Sequence, residues 1–446
     1  MSDMDVVAAP RREKRLILCL DGTWNSGFEE VQRRDGHTVM KPTNPLKICR
    51  AVKPFDGKSG MAQITYYDLG VGALAEYPGT ANRLLRSFDR TLGGAWGAGF
   101  EGNVEDALNF LAYNYEPGDE VYVFGFSRGA AQARAVTQFL DWNGGLPEKG
   151  DAYYLPRLFR LYVTTQGREG ASQELIAENN KKRDAEGRDR IQPFRPVRVR
   201  FLGVWDTVMA LGSRLDAVGE HTSVPGRTFY AGTTPARCVE HARQALALDE
   251  KRYDFRPEIW QNSLPGQTMA QRWFAGVHSN VGGSYGNDGL ANVALHWIAA
   301  GAKAAGLALD DEFLNKYVPW VKHSLYESAT RFYRVLDGFR NVSGDGVRSL
   351  LGHARECNLT LDRTVIERMQ ADPKDLDANG DGTPATAYRP TNVIELLAAH
   401  GADLPGYLND LGITAPLPPD VLAAITPLSR RGLHVHPPQA SAQAHP

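Results

Sequence analysis

The chain has 446 residues, of which 42% are hydrophobic and 23% charged, and its formal net charge is -2 at pH 7. That length and balance are typical of a globular protein with one large α/β domain and insertions, or with two domains. The near-neutral charge gives no support to nucleic-acid binding, and no apolar run approaches the length of a transmembrane helix.

The first half of the chain predicts alternating strands and helices. Residues 16–20 (LILCL) predict a buried strand that ends in the loop Asp21-Gly22-Thr23. A second strand is predicted in QITYYDLGVG, and the glycine-dense GGAWGAGFEG that follows lacks the sequence context of a P-loop. Apolar residues at helical spacing predict a helix over 104–115, before a Pro-Gly-Asp turn and a strand in VYVFGF.

The second half continues the alternation with two insertions. Residues 166–195 are highly charged, which predicts an exposed helical insertion or a flexible loop. The strand in VRVRFLGVW stops at Asp206, and residues 207–270, with a helix expected around CVEHARQALALDE, are the natural place for a cap. A strand in QRWFAGV then leads to His278 and to a helix in LANVALHWIAAGAKAAG.

This order predicts an α/β-hydrolase-like three-layer sandwich with a mostly parallel central sheet and helical insertions that form a cap. The predicted units are a flexible leader over 1–14, the α/β domain over 15–400, a C-terminal helical extension over 401–431 and a disordered tail over 432–446. The polar leader lacks the order of a secretory signal peptide, which predicts a cytoplasmic protein or one exported without a cleaved signal.

The four cysteines are scattered without a C-x-x-C pair, at Cys19, Cys49, Cys238 and Cys357. That spacing favours buried thiols over a disulfide scaffold or a zinc site.

The segment VYVFGFSRGAAQAR places Ser127 between Gly125 and Gly129 in the pattern G-x-S-x-G, at a strand-to-helix junction. A serine there lies on a sharp turn with its hydroxyl exposed, and the flanking glycines let neighbouring backbone approach closely. The N-terminus of the next helix would stabilise an oxyanion at the same place. Ser127 is therefore the candidate nucleophile, with a Gly-flanked serine in an ordinary turn as the alternative.

A nucleophilic serine needs a general base within hydrogen-bond reach and a third group that orients this base. In α/β hydrolases the order along the chain is serine, acid, histidine, each after a later strand. Asp206 and His278 fit, because each is the first polar residue after a predicted strand. The alternatives are a structural role for His278 in the NVGG turn and, as the acid, Asp216, Asp249 or Asp254.

The oxyanion hole would use the backbone N–H of Arg128, the residue after the nucleophile. A second donor would come from the loop after an earlier strand, where Gly22 and Thr23 are the candidates. The reaction predicted from these residues needs no cofactor.

The hexapeptide DANGDG resembles the opening of a calcium loop, with Asp377, Asn379 and Asp381 as oxygen ligands. The twelfth position of such a loop would be Tyr388 instead of the bidentate glutamate. A plain polar turn is therefore favoured over a metal site.

Taken together, several segments resemble a bacterial and fungal family of α/β hydrolases, formerly a domain of unknown function and similar to type VI secretion phospholipase effectors. The matching strings are LILCLDGTWN, YYDLGVG, GGAWGAGFEGNVEDALNFLAYNYEPGDEVYVFGFSRGAAQAR, FLGVWDTV and WFAGVHSNVGGSYGNDGL, with a weaker match in DRTVIERM and AYRPTNV. The resemblance implies Ser127 as nucleophile, Asp206 as orienting acid and His278 as base. Asp21 resembles the aspartate of the family's first strand-end loop, whereas Asn280 stands where the family often has aspartate.

The sequence thus predicts a serine carboxylester hydrolase that acts through an acyl-enzyme, with lipid or phospholipid esters as the favoured substrates. The alternatives are a soluble esterase or thioesterase and a catalytically silent, hydrolase-like binding module. Without the long C-terminal membrane-binding region of the large effectors, the resemblance supports acyl-ester hydrolysis better than membrane lipid as the substrate. The expected partners are a lipid or small ester and a peripheral membrane contact, with no nucleic acid; the oligomeric state is left open.

Overall fold

The structure, a computed structural model, describes residues 13–22, 30–32, 38–69, 95–209, 230–252, 255–327, 346–353 and 357–429. Its strands are β1 (Lys14–Leu20), β2 (Glu30–Gln32), β3 (Thr38–Met40), β4 (Phe55–Asp56), β5 (Met61–Asp68), β6 (Glu120–Phe126), β7 (Val199–Trp205), β8 (Val239–Ala247), β9 (Thr268–Phe274) and β10 (Leu359–Leu361).

The α-helices of the described residues are α1 (Asn44–Ala51), α2 (Ala95–Asn114), α3 (Arg128–Asn143), α4 (Leu155–Thr164), α5 (Ala171–Ala185), α6 (His278–Gly282), α7 (Gly289–Ala304), α8 (Asp311–Leu314), α9 (Arg363–Gln370), α10 (Thr391–His400), α11 (Leu404–Asp410) and α12 (Pro419–Ser429). Among them, no helix is both long and apolar enough to cross a membrane.

Eight strands form one sheet in the order β10-β9-β8-β7-β6-β1-β5-β4, and β2 pairs with β3 in a separate hairpin. Neighbouring strands of the large sheet are parallel, except that β4 runs antiparallel to β5. Helices cover both faces, as parallel sheets require. The predicted α/β class, with a three-layer arrangement and a mostly parallel sheet, is confirmed.

The two faces of β1 enter two different cores, because successive side chains of a strand point to opposite faces. Leu16 and Leu18 pack in a cluster with side chains of α2, α3 and α4. Ile17 and Cys19 pack in a second cluster with side chains of α1 and α7. Full burial of one such aliphatic side chain stabilises the fold by about 1.5–3 kcal/mol, so both faces hold the sheet in place.

A third core lies where α9, α10 and α12 pack on the β8–β10 side of the sheet. Its centre includes Trp273 on β9, Leu361 on β10, Val365 on α9 and Leu397 on α10, all of them buried. The short strand β10 on this side of the sheet was not predicted from the sequence.

The prediction of a helix around CVEHARQALALDE is wrong, since Val239–Ala247 form strand β8. The segment contains good helix formers, but it lies between β7 and β9 and pairs with both along its length. Pairing and burial inside a parallel sheet override the local helix propensity. The stretch predicted as a cap, 207–270, therefore contains a core strand, and its residues 210–229 and 253–254 lie outside the described residues.

The charged insertion, the leader and the tail differ in how far they fall within the described residues. The charged insertion contains α5, whose outer side chains are exposed while Asn179 and Arg183 are buried. Lys14, placed in the leader, already belongs to β1, and residues 1–12 lie outside the described residues. The tail predicted over 432–446 lies outside them as well.

Candidate active site

The direction of strand addition changes between β1 and β6. From β1 the chain adds β5 on one side, and it then returns to the other side of β1 to add β6, β7, β8 and β9 in turn. Ligands of open α/β sheets bind at such a switch point, beside the carboxyl ends of the strands. Asp21 follows β1 there and Ser127 follows β6, so the two residues lie at the carboxyl ends of neighbouring parallel strands.

Ser127 occupies a strained turn between β6 and α3, with φ 60° and ψ -122°. Its N–H donates to the carbonyl oxygen of Trp205, at 3.0 Å. A Cβ on Gly125 would overlap the backbone of Gly129, and a Cβ on Gly129 would overlap the carbonyl oxygens of Leu20 and its neighbour in the loop after β1. The two glycines thus let the elbow close onto β1, and such backbone strain is found where function requires it.

Asp206 follows β7 directly and lies beside the elbow, because Trp205 pairs in register with Phe126. Its backbone also adopts a positive φ, 43°, and its side chain is fully buried. Oδ2 lies 2.6 Å from Nδ1 of His278, and Oδ1 accepts a hydrogen bond from the N–H of Ala247 at 3.0 Å. This carboxylate is placed to orient the histidine ring.

Arg348, which no sequence motif indicated, binds the Asp206 carboxylate. Its Nη1 donates to Oδ1 of Asp206 at 2.7 Å, and its Nη2 donates to Oδ2 at 3.1 Å. Burial raises the pKa of the Asp206 carboxyl, but Arg348 and His278 outweigh burial and lower this pKa to about 2. A buried carboxylate needs a cationic partner, which was the only signal for this arginine in the sequence. That signal does not single out Arg348, because no motif surrounds it.

His278 is the first residue of α6, and its ring lies between two phenylalanine rings. The ring centroids are 4.6 Å from Phe126, next to Ser127, and 4.9 Å from Phe255. Burial lowers the pKa of His278 below its ordinary value, against the opposing effect of Asp206. With Nδ1 bound to the carboxylate, the neutral ring carries its lone pair on Nε2. That atom is buried and has no hydrogen-bond partner within the described residues.

Asp21 directly follows β1, and its carboxylate accepts hydrogen bonds from three donors. It accepts hydrogen bonds from Thr43 Oγ1 at 2.5 Å, from Tyr67 Oη at 2.6 Å and from the N–H of Gly22 at 2.7 Å. Burial raises its pKa to about 6, against the effect of these donors. The N–H of Gly22, a candidate oxyanion donor, is therefore engaged by Asp21, and Thr23, the other candidate, lies outside the described residues.

Arg128 follows Ser127 and begins α3, which places its backbone at the helix N-terminus beside the serine. Its side chain is buried, and burial lowers its pKa to about 9.

Asn280 connects α6 to a later segment of the chain. Its Nδ2 donates to the carbonyl oxygen of Ser324 at 3.3 Å, and its Oδ1 accepts from the N–H of Tyr326 at 3.3 Å. Its contacts are thus structural ones next to the histidine.

The other candidates lie elsewhere or outside the description. Asp249 accepts from the N–H of Gly276 and from Tyr388, and it makes no such bond to the histidine; Asp216 and Asp254 lie outside the described residues.

In the DANGDG turn, Asp381 Oδ1 accepts from the backbone and hydroxyl of Thr383, and Nδ2 of Asn379 donates to the same hydroxyl. Asp377 lies 3.6 Å from Nε2 of His323. Across the described part of the chain, no three His, Cys, Asp or Glu side chains converge on a metal site.

The fold and the switch-point geometry define an α/β-hydrolase-like protein. A family model supplies the next level of identification. The chain belongs to the family described as "T6SS, Phospholipase effector Tle1-like, catalytic domain", whose model matches residues 14–301. The matched region contains the elbow, Asp206 and His278, whereas Arg348 lies beyond it.

Three further proteins are similar to the chain. Uncharacterized protein YEL023C of Saccharomyces cerevisiae is 28% identical over 253 residues, which is 54% of this chain and 32% of the yeast protein. The crystal structure of an uncharacterized protein from Pseudomonas aeruginosa matches with a TM-score of 0.38 and 16% identity, over 96% of this chain and 65% of that one. The Tle1 effector bound to the VgrG spike of the Type 6 secretion system matches with a TM-score of 0.33 and 21% identity, over 62% and 52%. The matched region thus spans about a third of the yeast relative, and the family assignment rests on the family model.

Proposed function

We propose that the chain is a serine carboxylester hydrolase that releases fatty acid from phospholipid or related lipid esters. The observation that carries the proposal is the hydrogen bond of 2.6 Å between His278 Nδ1 and Asp206, which leaves a buried Nε2 without a partner among the described residues. The ring of Phe126, which precedes the strained Ser127, has its centroid 4.6 Å from that of His278. Membership of the phospholipase effector family supports lipid esters as the substrate class. The same membership supports export by a type VI route.

In the proposed reaction Ser127 Oγ attacks the ester carbonyl carbon while His278 Nε2 takes the hydroxyl proton. The tetrahedral intermediate collapses when the histidine returns that proton to the leaving alkoxide, which releases the alcohol and leaves an acyl-serine. Water then attacks the acyl-serine with His278 as base, and fatty acid is released. Asp206 holds the ring in the required tautomer and stabilises the imidazolium.

The oxyanion of each intermediate would be held by the backbone N–H of Arg128 at the start of α3. Gly22 can add a second donor only if its N–H leaves the Asp21 carboxylate, to which it is bound at 2.7 Å. Arg348 acts as a positioning residue in this scheme, since its two bonds to Asp206 fix the carboxylate that orients the base.

The test is release of fatty acid from mixed phospholipid vesicles, run beside hydrolysis of a short-chain soluble ester. We expect the chain to act on the vesicles and Ser127→Ala to lose at least about 10³-fold in rate with an unchanged melting temperature. Ser172→Ala, which changes a buried serine on α5, should keep full activity.

Other outcomes would assign a different function. Cleavage of the soluble ester alone would make the protein a soluble esterase or thioesterase. No cleavage, together with no reaction of Ser127 with a fluorophosphonate, would make it a silent binding module. Full activity in Ser127→Ala would show that the elbow serine is not the nucleophile.

A further inference from the structure

Val318, Pro319 and Trp320 form a run of three exposed apolar residues. The exposed fraction is 62% for Val318 and 46% for Trp320. Among the large hydrophobic side chains whose exposure the structure describes, which leaves out residues 30–32, 38–39 and 95–98, no other two exposed ones lie within two positions of each other. Exposed apolar side chains that are grouped in this way mark contact surfaces more often than single ones do.

The segment around this run is fastened to α7 by its backbone. Nε2 of His296 lies 2.8 Å from the carbonyl oxygen of Tyr317, and Nδ2 of Asn292 donates to that of Val318 at 3.1 Å. The N–H of Trp320 donates to the carbonyl oxygen of Gly289 at 3.0 Å. The run is therefore held in one conformation while its side chains point away from the core.

The same bonds fix where the run lies. The three partners on α7 lie on successive turns, and their order towards its N-terminus is His296, Asn292 and Gly289. The segment from Tyr317 to Trp320 therefore runs along α7 towards the N-terminus of this helix. That N-terminus follows α6, which begins at the candidate base, and lies at the carboxyl edge of the sheet. Trp320 is thus exposed at the same edge of the molecule as the candidate active site.

The chain beyond the run returns to the site itself. The carbonyl oxygen of Ser324 and the N–H of Tyr326 both bond to Asn280, two residues after His278. Arg368 donates to the carbonyl oxygens of Val321 and His323 between these points. The exposed run and the candidate base therefore belong to one hydrogen-bonded assembly.

We propose that Val318, Pro319 and Trp320 dock the protein on the surface of a phospholipid bilayer, which presents the candidate site to lipid esters. The inference rests on the proposed function. Tryptophan favours the membrane interface because its ring is largely apolar and its N–H is polar. Proline brings no N–H, and the N–H of Trp320 and the carbonyl of Val318 are already paired, so entering the interface leaves few backbone groups without partners.

The few charged side chains near the run indicate that its apolar side chains make the main part of this contact. Lys316 is exposed and lies beside the run, where it can approach lipid phosphates. Lys322 on the other side is paired with Asp375 at 2.9 Å, which offsets its charge. Binding should therefore depend more on Val318 and Trp320 than on the anionic lipid content or the salt concentration.

The first test is co-sedimentation of the Ser127→Ala protein with vesicles of phosphatidylethanolamine and phosphatidylglycerol. Adding Val318→Asn and Trp320→Ser should reduce the bound fraction at least about tenfold. The matched control is Phe55→Ser, because Phe55 is 51% exposed and lies on β4 level with the start of β1, at the opposite edge of the sheet. The control should bind as the parent protein does.

The second test uses the catalytically intact protein. The same two substitutions should lower fatty-acid release from vesicles at least about tenfold and leave hydrolysis of a short-chain soluble ester unchanged. Each substitution made singly should give a smaller loss in the same direction. Unchanged soluble-ester hydrolysis also shows that the variants fold.

Several outcomes would overturn the docking proposal. They are no vesicle binding by the parent, equal binding by the double variant, equal loss on both substrates, and a change of oligomeric state in lipid-free protein in place of a change in vesicle binding. Vesicle binding that depends on Val318 and Trp320 in a protein that hydrolyses no ester would refute the proposed function and leave the docking surface standing.

Discussion

The carboxylates at the two ends of the central sheet differ in the partners that stabilise them. At the amino end, Arg15 pairs with Asp56 at 2.7 Å and with Glu120 at 2.8 Å, and Lys14 pairs with Asp119. Hydrogen bonds from Ser59 and Arg15 lower the pKa of Asp56 well below its ordinary range. The carboxylates of this end are therefore satisfied by cations and hydroxyls, as a purely structural region requires.

At the carboxyl end, burial of the carboxyl groups costs more folding free energy. Asp21 is held by two hydroxyls and an N–H, and burial raises its pKa to about 6. Burial, followed by repulsion from Asp106, raises the pKa of Asp68 to about 7. Ser127 and Asp206 add positive φ values at the same end. Perturbed carboxyls and strained backbone gathered at one edge indicate that this edge is organised for function, at a cost in stability.

The largest expected effect is that of Arg348→Met at the carboxyl end. The substitution leaves the fully buried Asp206 without its cation, which should lower the free energy of unfolding by about 3–5 kcal/mol. The unpaired carboxylate should also hold a proton on His278 more strongly, so the acid limb of kcat/KM should move to higher pH. Urea unfolding and a pH–rate profile on a soluble ester measure the two effects.

Two further variants make this experiment specific. Arg190→Met breaks an exposed pair with Asp184 and should cost about 1 kcal/mol or less, with an unchanged pH profile. Arg348→Lys should recover part of the lost stability, because it restores the charge without the two-pronged geometry. An unmoved acid limb in Arg348→Met would show that the arginine serves stability alone.

The raised pKa of Asp21 gives the next effect, a pH dependence of stability. The folded protein binds this proton more tightly than the unfolded chain, whose aspartate pKa is near 3.8. The resulting stabilisation is largest below that value and is lost as the pH rises through about 6, and it amounts to about 1–3 kcal/mol. Urea unfolding between pH 4 and 7 should show this slope in the parent and a flatter one in Asp21→Asn.

The same experiment has a variant that sharpens it. Thr43→Val removes a hydroxyl that favours the ionised carboxylate, so the pH at which the stabilisation is lost should rise. Parallel profiles for the parent and Asp21→Asn would contradict the assignment of the slope to this carboxyl.

The sequence predicted the juxtaposition of Asp206 and His278 for a physical reason. Carboxyl ends of parallel strands meet at one edge, so polar residues placed directly after strands come together without knowledge of the contacts. Ser127 was proposed from the G-x-S-x-G pattern, and Asp21 from the resemblance to the family's first strand-end loop. Local strand patterns were correct wherever a short apolar run was bounded by turn residues, as in β1, β6 and β7.

What the sequence did not predict depends on distant contacts. Strand β8 carries helix-forming residues, and only its two neighbours make it a strand. Arg348 reaches Asp206 across 142 positions of the chain and stands in no motif. These features belong to tertiary structure, and the residue pattern along the chain does not encode them.

At the amino end, Arg15→Met should cost about 1–3 kcal/mol, because it removes charged hydrogen bonds whose carboxylate partners retain some contact with water. The rate of ester hydrolysis by the folded protein should stay at the parent value, since no group of the candidate site is touched. Urea unfolding and kcat/KM below the unfolding transition measure both quantities. A large fall in kcat/KM would break the division between a structural end and a functional end.

The smallest expected effect, and the one most specific to the carboxyl end, concerns the pH–rate profile of the parent protein. It is the pH at which kcat/KM falls on the acid side of that profile. Catalysis by His278 requires the neutral ring, and burial lowers its pKa below the ordinary value of 6.5 in spite of the nearby Asp206. Activity should therefore persist to lower pH than an exposed histidine would allow, with the midpoint of kcat/KM below 6.5. Asp206, with a pKa of about 2, stays ionised throughout this range, so it adds no second ionisation to the limb. A midpoint above 6.5 would mean that the carboxylate outweighs burial, and that the site stabilises the imidazolium already in the resting protein.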